Sequence, residues 1–321
     1  MKLSDSYNII KKSIVAFVPK YTPLQNKDDP PPVFPPIFGT GFIVKEDGLI
    51  ATNDHVVKAI PKLFKPPDAP EKDWPLIPIL FKLTEKGMLE IPLQVTGAFR
   101  IAQFNPEPAY YGPKIPDIAF VHVKVKGLPA LDLDVSTPLE EGLQVATAGF
   151  PMGTEALTAP GWLHQLTPTL QRGIISAVLP FSCSSPHAFT INVMTQGGAS
   201  GSPVFLPNTG RVIGVLYAGL NDIAQTFQKD VYKVPTNISY VVPSHFIANS
   251  LRNIESDPDF KLPEDTKSIH ELIESSQIEN RLRKSRKYEI KEVKPLTNLQ
   301  RTIERLKLKN HPKTLKTDNT S

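Results

Sequence analysis

The chain has 321 residues, of which 40% are apolar and 21% are charged, a balance typical of a folded globular protein of about two domains. No apolar run approaches the roughly 18 residues of a membrane-spanning helix, and the N-terminus lacks the continuous apolar segment of a secretory signal. The one cysteine, Cys183, excludes an internal disulfide framework, and these features together predict a cytoplasmic protein.

The predicted elements are mostly short strands separated by loops rich in proline and glycine. In chain order the strand-like runs are 14–18, 38–44, 49–52, 77–83, 89–101, 117–123, 143–150, 162–167, 171–178, 188–195, 203–206, 211–220 and 237–242. Long loops are predicted at 19–36, 61–75 and 105–116. This series is typical of an antiparallel barrel or sandwich. After Pro243 the pattern predicts a helix to about Ile254, with Ser244 as its N-cap.

The C-terminal segment 256–321 differs in composition from the rest. Residues 281–321 contain 13 Lys/Arg and 4 Asp/Glu, a net charge of +9, so the remainder carries −5 of the overall +4. Helical spacing at 268–289 and 296–308 predicts a basic tail that is partly helical and otherwise disordered. It could contact nucleic acid, an anionic membrane or an acidic protein. Tyr288 is the one aromatic residue of 281–321, which argues against base stacking, and we favour a solvated tail.

Small residues surround one serine in the stretch Gly197-Gly198-Ala199-Ser200-Gly201-Ser202, directly before the strand-like run 203–206. Glycine allows backbone conformations that other residues avoid. Such a loop can direct the N–H groups of Gly198 and Ser200 toward one point, as the stabilisation of an oxyanion requires. The alternative is an ordinary glycine-rich turn between strands.

His55 and Asp117 are the other candidate catalytic residues. His55 follows the strand-like run 49–52, and Asp117 begins a buried run. A serine hydroxyl needs a neighbouring base to become a nucleophile, and a carboxylate can orient a histidine for that role. Taken singly, His55 can also be a polar loop residue and Asp117 a turn or cap residue.

Several blocks together resemble the trypsin/chymotrypsin-fold serine endopeptidases, in particular the HtrA (Deg) type. They comprise Gly39–Val44, Thr52–Val56, Asp117–Val121, Gly149–Gly153, Arg172–Ala177, Gly198–Pro203 and Gly210–Val215. The resemblance implies an all-β core of two antiparallel six-stranded barrels, at about 10–140 and 141–243, within a protease domain 1–255 closed by a helix. It also implies that His55 is the general base, Asp117 its orienting residue and Ser200 the nucleophile.

The same resemblance implies an oxyanion hole from the backbone N–H groups of Gly198 and Ser200. It places the primary substrate pocket near Met194, Thr195, Tyr217 and Ala218. None of these is acidic, so the pocket should favour a small or medium apolar side chain over lysine or arginine. Ser202 replaces a glycine found in many family members and is a rival nucleophile. No PDZ pattern is recognisable in 256–321.

The sequence thus predicts a serine endopeptidase that acts on proteins or peptides without a metal or other cofactor. No zinc-ligand spacing and no phosphate-binding glycine loop is present. The alternative is a catalytically silent or latent protease-fold protein that binds or regulates a partner. The oligomeric state is left open by the sequence.

Overall fold

The computed structural model describes residues 1–21, 36–84, 87–102, 104, 115–151, 167–183, 185–225, 231–256 and 266–275. The chain divides into two compact units, Met1–Asn280 and Arg281–Ser321. The predictions for the basic tail 281–321 and for most of the strand 162–167 lie outside the described residues. Of the helices in these ranges, none combines the length and apolar character needed to cross a bilayer.

The N-terminal half is a seven-stranded antiparallel sheet preceded by helix α1 (Leu3–Ile10). Its strands are β1 (Ile14–Pro19), β2 (Gly39–Lys45), β3 (Leu49–Thr52), β4 (Leu76–Thr84), β5 (Gly87–Pro92), β6 (Val95–Arg100) and β7 (Ala119–Val123). They lie in the order β5-β4-β1-β2-β3-β7-β6. Helix α2 (Asp54–Ala59) and a 3-10 turn (Ile60–Lys62) follow β3.

The run predicted as one strand at 89–101 forms the two edge strands of this sheet. Pro92 ends β5, and the N–H of Leu93 donates to Pro78 next to it. One residue later, Gln94 accepts a hydrogen bond from Lys124 beside β7. The chain therefore crosses from one edge of the sheet to the other within two residues, which requires the sheet to curl. The N-terminal half is accordingly a curled seven-stranded sheet, where six strands were expected.

The C-terminal half is a closed six-stranded barrel, as predicted. Its strands are β9 (Gln144–Gly149), β10 (Thr169–Leu179), β11 (Ala188–Ile191), β12 (Pro203–Phe205), β13 (Val212–Gln225) and β14 (Val231–Pro243). They lie in the order β10-β11-β14-β13-β12-β9, and the pairing of β9 with β10 closes the barrel. Helix α3 (Ser244–Glu255) follows β14. Its N-cap is Pro243 and not Ser244, which is the first helical residue and whose hydroxyl donates to the carbonyl of Asp134.

A short segment beyond α3 returns to the N-terminal sheet. Strand β15 (Lys267–Ser268) pairs in parallel with β8 (Val125–Lys126). Helix α4 (Ile269–Ser275) then buries Ile269 in the same apolar cluster as β1, β3 and β7. Part of the segment predicted as tail from residue 256 thus packs against the first half of the protein.

Among the described residues, three apolar clusters form the core. One lies in the N-terminal sheet and one inside the barrel. The third joins the two halves: Phe42 of β2 belongs to the same cluster as Phe150, Phe205 and Phe246 of the C-terminal half. Full burial of such side chains contributes about 1.5–3 kcal/mol each. This shared cluster fixes β2 against the barrel and so positions the loops between them.

Candidate active site

His55 lies in the first turn of α2, immediately after β3. Thr52 ends the strand, and Asn53 is the N-cap residue in an extended conformation. The Asn53 side-chain amide donates to the carbonyl oxygen of Asp117 at 2.8 Å. The chain therefore turns from a buried strand into a helix at the point where β7 begins, and this turn exposes His55.

Asp117 contacts His55 twice. Its Oδ2 lies 2.6 Å from Nδ1 of the imidazole, and its Oδ1 accepts the backbone N–H of His55 at 3.0 Å. An ionised carboxylate can only accept, so the contact assigns the proton to Nδ1 and leaves Nε2 as the basic nitrogen. The side chains are 48% and 23% exposed, so Nε2 is accessible to a substrate.

The residue before His55 is anchored to a different strand. Asp54 is nearly buried and accepts hydrogen bonds from Arg100, the last residue of β6, while Lys58 pairs with it at 2.6 Å one turn along α2. Burial alone would raise the pKa of Asp54, but the hydrogen bonds from Arg100 and Lys58 lower it below its ordinary value. Neighbouring residues 54 and 55 are thus held by β6 and by the start of β7.

The serine loop contains two glycines in a conformation that other residues rarely adopt, with φ of +89° at both Gly198 and Gly201. A Cβ at Gly201 would lie 1.9 Å from the carbonyl oxygen of Thr40 and 2.5 Å from Oγ1 of Thr52. Thr52 precedes His55 by three residues, and Gly201 follows Ser200. The close approach that glycine permits therefore brings the serine loop against the strand that leads to the histidine.

Thr40 of β2 holds this loop through both its backbone and its side chain. Its N–H donates to the carbonyl of Ser200 at 2.8 Å, and its hydroxyl donates to the carbonyl of Gly198 at 2.7 Å. The same hydroxyl accepts the N–H of Phe150 at 3.2 Å. Thr40 is fully buried. One residue of the N-terminal sheet thus binds the carbonyls of both predicted oxyanion-hole residues.

The two serines of the loop occupy different environments. Ser200 is half-buried, whereas Ser202 is only 2% exposed. The Ser202 hydroxyl donates to the carbonyl of Ala199 at 2.6 Å and packs beneath Gly149. The rival nucleophile suggested by the sequence is therefore buried and hydrogen-bonded within the loop.

Some backbone N–H groups of the serine loop donate to carbonyl oxygens, and others do not. Ala199 and Ser202 donate within the loop, and Gly201 donates to Leu216. Within the part of the chain that the structure describes, the N–H groups of Gly198 and Ser200 donate to no carbonyl. These two donors are the ones that the sequence predicted for an oxyanion.

The four predicted pocket residues lie on two neighbouring segments. Met194 and Thr195 follow β11, and Tyr217 and Ala218 belong to β13. Tyr217 is the extra residue of a β-bulge, because Leu216 and Ala218 pair with successive residues of β14. Burial, followed by the charges of Tyr240 and Asp117, raises the pKa of Tyr217. The Tyr217 phenol is therefore within electrostatic reach of the Asp117 carboxylate.

Thr195 belongs to a pair of hydroxyl groups that bind each other. Thr195 Oγ1 lies 2.8 Å from the Ser239 hydroxyl, which lies 2.6 Å from the carbonyl of Val193. A Cβ at Gly219 would lie 2.9 Å from Thr195 Oγ1, so the two segments are close. The four predicted residues carry no charge. Elsewhere in the described ranges, no group of three His, Cys, Asp or Glu side chains is arranged for a metal ion.

Two positioning contacts were missed by the sequence reasoning. The sequence marks Thr40 only as part of a glycine-rich block, although a threonine between two glycines in an apolar strand is a buried hydroxyl that needs a partner. Arg100 carried no local signal at all. Its partner Asp54 is 46 residues earlier, and only the pairing of β6 beside β7 brings them together.

The comparison with protein families matches the central part of the chain. Residues 39–215, which include β2 to β12 and the candidate residues His55, Asp117 and Ser200, match the family described as Trypsin-like peptidase domain, while Tyr217 and Ala218 lie just beyond the match. The chain belongs to this family.

Curated relatives include proteins named "Probable periplasmic serine endoprotease DegP-like". The protein from Pseudomonas putida (strain W619) is 30% identical over 180 residues, and that from Halomonas elongata is 28% identical over 177 residues. Each alignment covers 55% of this chain and 28% of the relative, so the chain spans under a third of their length. The prediction of a cytoplasmic protein is wrong on this finding. A single cysteine rules out internal disulfides but does not require a reducing compartment.

Solved structures with a similar course of the chain include HtrA-type proteases. One is described as "HtrA-type protease AlgW with decapeptide", 17% identical, with a TM-score of 0.47 over 80% of this chain and 68% of that one. Another is a serine endoprotease from Yersinia pestis, 15% identical, with a TM-score of 0.46 over 79% of this chain and 66% of that one.

Proposed function

We propose that the chain is a serine endopeptidase that hydrolyses peptide bonds in proteins or peptides through an acyl-enzyme on Ser200. The observation that carries the proposal is the double contact of Asp117 with His55, at 2.6 Å to Nδ1 and 3.0 Å to the backbone N–H. A carboxylate in this position fixes the tautomer whose Nε2 can accept a proton, which is the requirement for activating a serine.

In the proposed reaction, His55 Nε2 takes the proton of Ser200 as Oγ attacks the carbonyl carbon of the peptide bond. Asp117 stabilises the imidazolium that forms. The C–N bond then breaks, and the imidazolium gives its proton to the leaving amine. A water molecule deprotonated by His55 attacks the resulting ester, and Ser200 is released with its proton restored.

The oxyanion of each tetrahedral intermediate would accept from the N–H groups of Gly198 and Ser200. The loss of one such donor typically costs about 2.7–4 kcal/mol of transition-state stabilisation. The hydrogen bonds from Thr40 to the carbonyls of these two residues support this assignment, because they hold the loop without using either N–H.

For the primary pocket we propose a small or medium apolar substrate side chain. The pocket hydroxyls of Thr195 and Ser239 bind each other, and none of the predicted pocket residues can neutralise a lysine or arginine. A peptide library that varies the residue before the cleaved bond tests this. We expect alanine, valine or leucine to exceed lysine at least tenfold in kcat/KM, and a preference for lysine would refute the pocket assignment.

The nucleophile is tested by labelling with a fluorophosphonate, which forms a covalent bond to an activated serine. We expect wild type and Ser202→Ala to label, and Ser200→Ala to lose labelling and peptide hydrolysis by more than about 10⁴-fold. Ser202→Ala is the matched control, because it removes a hydroxyl two residues away. Labelling that survives in Ser200→Ala and disappears in Ser202→Ala would refute the assignment.

Digestion of casein or a peptide library separates an active endopeptidase from the silent or latent alternative. Hydrolysis by wild type that Ser200→Ala abolishes supports the proposal, whereas a folded wild type that neither labels nor cleaves favours a binding or regulatory role. We further propose that the basic tail is solvated. Truncation after Asn280, which retains β15 and α4, should then leave hydrolysis unchanged at both low and high salt.

A further inference from the structure

The N-terminal half contains a cavity of about 520 Å³ that includes none of the candidate catalytic residues. It lies where the chain leaves α1, at the tip of the β4–β5 hairpin, and beneath α4. This volume is in the range of sites that hold one small ligand, about 300–1,000 Å³. The cavity is therefore large enough for a ligand and separate from the proposed site of peptide hydrolysis.

The walls of the cavity are apolar. Leu128 and Ile269 are almost completely buried behind it, and Leu80 forms its base in β4. Leu83 and Met88 are cross-strand partners at the tip of the hairpin, and Leu83 is 75% exposed, the largest exposed fraction among the large apolar side chains described. Water in such a cavity has few polar partners, so an apolar chain would displace it favourably.

The rim of the cavity is positively charged. Lys11, Lys12 and Lys82 lie along it, together with one acidic residue, Glu46. Among the described residues none of the three lysines pairs with a carboxylate; Lys11 instead lies over the ring of Tyr7 at 5.6 Å. A ligand with an anionic head at the rim and an apolar chain inside would satisfy both features.

The neighbouring secondary structure argues against an extended peptide as the occupant. A peptide of this kind usually adds to the free edge of a sheet through backbone hydrogen bonds. The edge strand here is β5, and α4 packs against it. The geometry points to a single-chain amphiphile: we propose that this cavity binds one medium-length alkyl chain that ends in a carboxylate.

Calorimetric titration of the full chain with alkanoates of six to twelve carbons, below their micelle concentrations, tests the proposal. We expect affinity to rise up to about fourfold per added methylene until the cavity is filled. Decanol and decyltrimethylammonium should bind at least tenfold more weakly than decanoate, and added salt should reduce the advantage of the carboxylate. Equal affinity for the three head groups, or no dependence on chain length, would overturn it.

Two substitutions locate the site. Lys82→Glu and Leu83→Asp alter exposed positions on the hairpin, so the fold should be retained, which circular dichroism and the Tm will check. We expect each to weaken decanoate binding at least tenfold. The matched controls are Lys72→Glu and Val135→Asp, at an exposed lysine and a 60% exposed valine outside the cavity, and these should bind as wild type does.

If folded Lys82→Glu and Leu83→Asp both retain wild-type affinity, decanoate binds elsewhere and the assignment is wrong. The proposal would also be wrong if a hydrophobic peptide protected α4 from hydrogen exchange and decanoate did not. That result would indicate a peptide-binding site. Fluorophosphonate labelling of Ser200 is measured separately and does not enter the inference, so this proposal and the proposed peptidase activity can fail independently.

Discussion

The histidine side and the serine side of the candidate active site are held by different kinds of contact. His55 and Asp117 project from the N-terminal sheet with side chains 48% and 23% exposed, and they bind each other directly. The serine loop belongs to the barrel, yet its carbonyls are held by Thr40, a fully buried residue of the other half. The first region is therefore organised by exposed charge, and the second by buried, neutral hydrogen bonds.

This difference predicts how each region responds to substitution. A neutral buried hydrogen bond is worth about 1 kcal/mol net, but a partner left unsatisfied by its loss can cost about 1–3 kcal/mol. An exposed charged pair contributes little to stability and can still control the protonation state of a histidine. We thus expect the histidine side to affect catalysis with little effect on folding, and the serine side to affect both.

We expect Asp117→Asn to reduce activity more than any other substitution considered below. The amide preserves shape but no longer fixes the Nδ1–H tautomer or stabilises an imidazolium, so we expect kcat to fall by about 10⁴-fold with nearly unchanged stability. Peptide hydrolysis and urea unfolding measure the two effects. Asp68→Asn, at an exposed carboxylate, is the matched control. A loss of less than tenfold would mean that Asp117 does not orient the base.

Next in size is Thr40→Val, which removes the buried hydroxyl while keeping the shape. Without its hydrogen bond to the Gly198 carbonyl, we expect the oxyanion loop to shift and kcat to fall about 10²-fold, with KM nearly unchanged. The affinity for a peptide boronate, which forms a tetrahedral adduct with the serine, should fall in parallel with kcat.

The controls for Thr40 separate positioning from general destabilisation. Thr40→Ser should restore most activity. Thr147→Val removes another buried threonine hydroxyl, which donates to the carbonyl of Pro203 at 2.9 Å and does not bind the carbonyls of Gly198 or Ser200. This variant should lower the stability without the loss in kcat. Equal kinetic losses in Thr40→Val and Thr147→Val would remove the special role of Thr40.

A smaller effect is expected for Asp54→Asn, which tests whether the contacts of Asp54 with Arg100 and Lys58 contribute to stability. Because the pKa of Asp54 is lowered in the folded protein, its ion pairs stabilise the fold above the ordinary pKa of 3.8 and are lost as the pH falls below it. We expect the variant to be about 1–2 kcal/mol less stable at pH 7, with a smaller difference at pH 3. Urea unfolding at both pH values measures this, and a difference that grows at pH 3 would contradict the sign.

The smallest effect is expected for His245 on α3, which belongs neither to the His55–Asp117 pair nor to the serine loop. Burial, followed by the charge of His187, lowers the pKa of His245 to about 4. The unfolded chain therefore binds more protons between about pH 6.5 and 4, and the fold loses stability as the pH falls through this range. Between about pH 6.5 and 5.5, we expect His245→Gln to reduce this loss by about 1 kcal/mol in urea unfolding. Unchanged pH dependence would show that His245 does not contribute.

Much of the fold and of the candidate site could be predicted from the amino-acid sequence, because the decisive signals were local. Alternating apolar residues and turn residues predicted most strands of the barrel, and the residues around His55, Asp117 and Ser200 predicted the family. His55 and Asp117 are 62 positions apart and lie 2.6 Å from each other. No local pattern relates two such distant residues, and their pairing was predicted only through the family resemblance.

The residues that hold these groups in place became evident from the folded structure. The split of 89–101 depends on Leu93 and Gln94 bonding to opposite edges of a sheet, which no local pattern shows. The return of α4 to the N-terminal core, the burial of Ser202 and the reach of Thr40 into the serine loop likewise join distant parts of the chain. Propensity and periodicity act within a few residues, whereas these contacts exist only after the two halves have packed around their shared core.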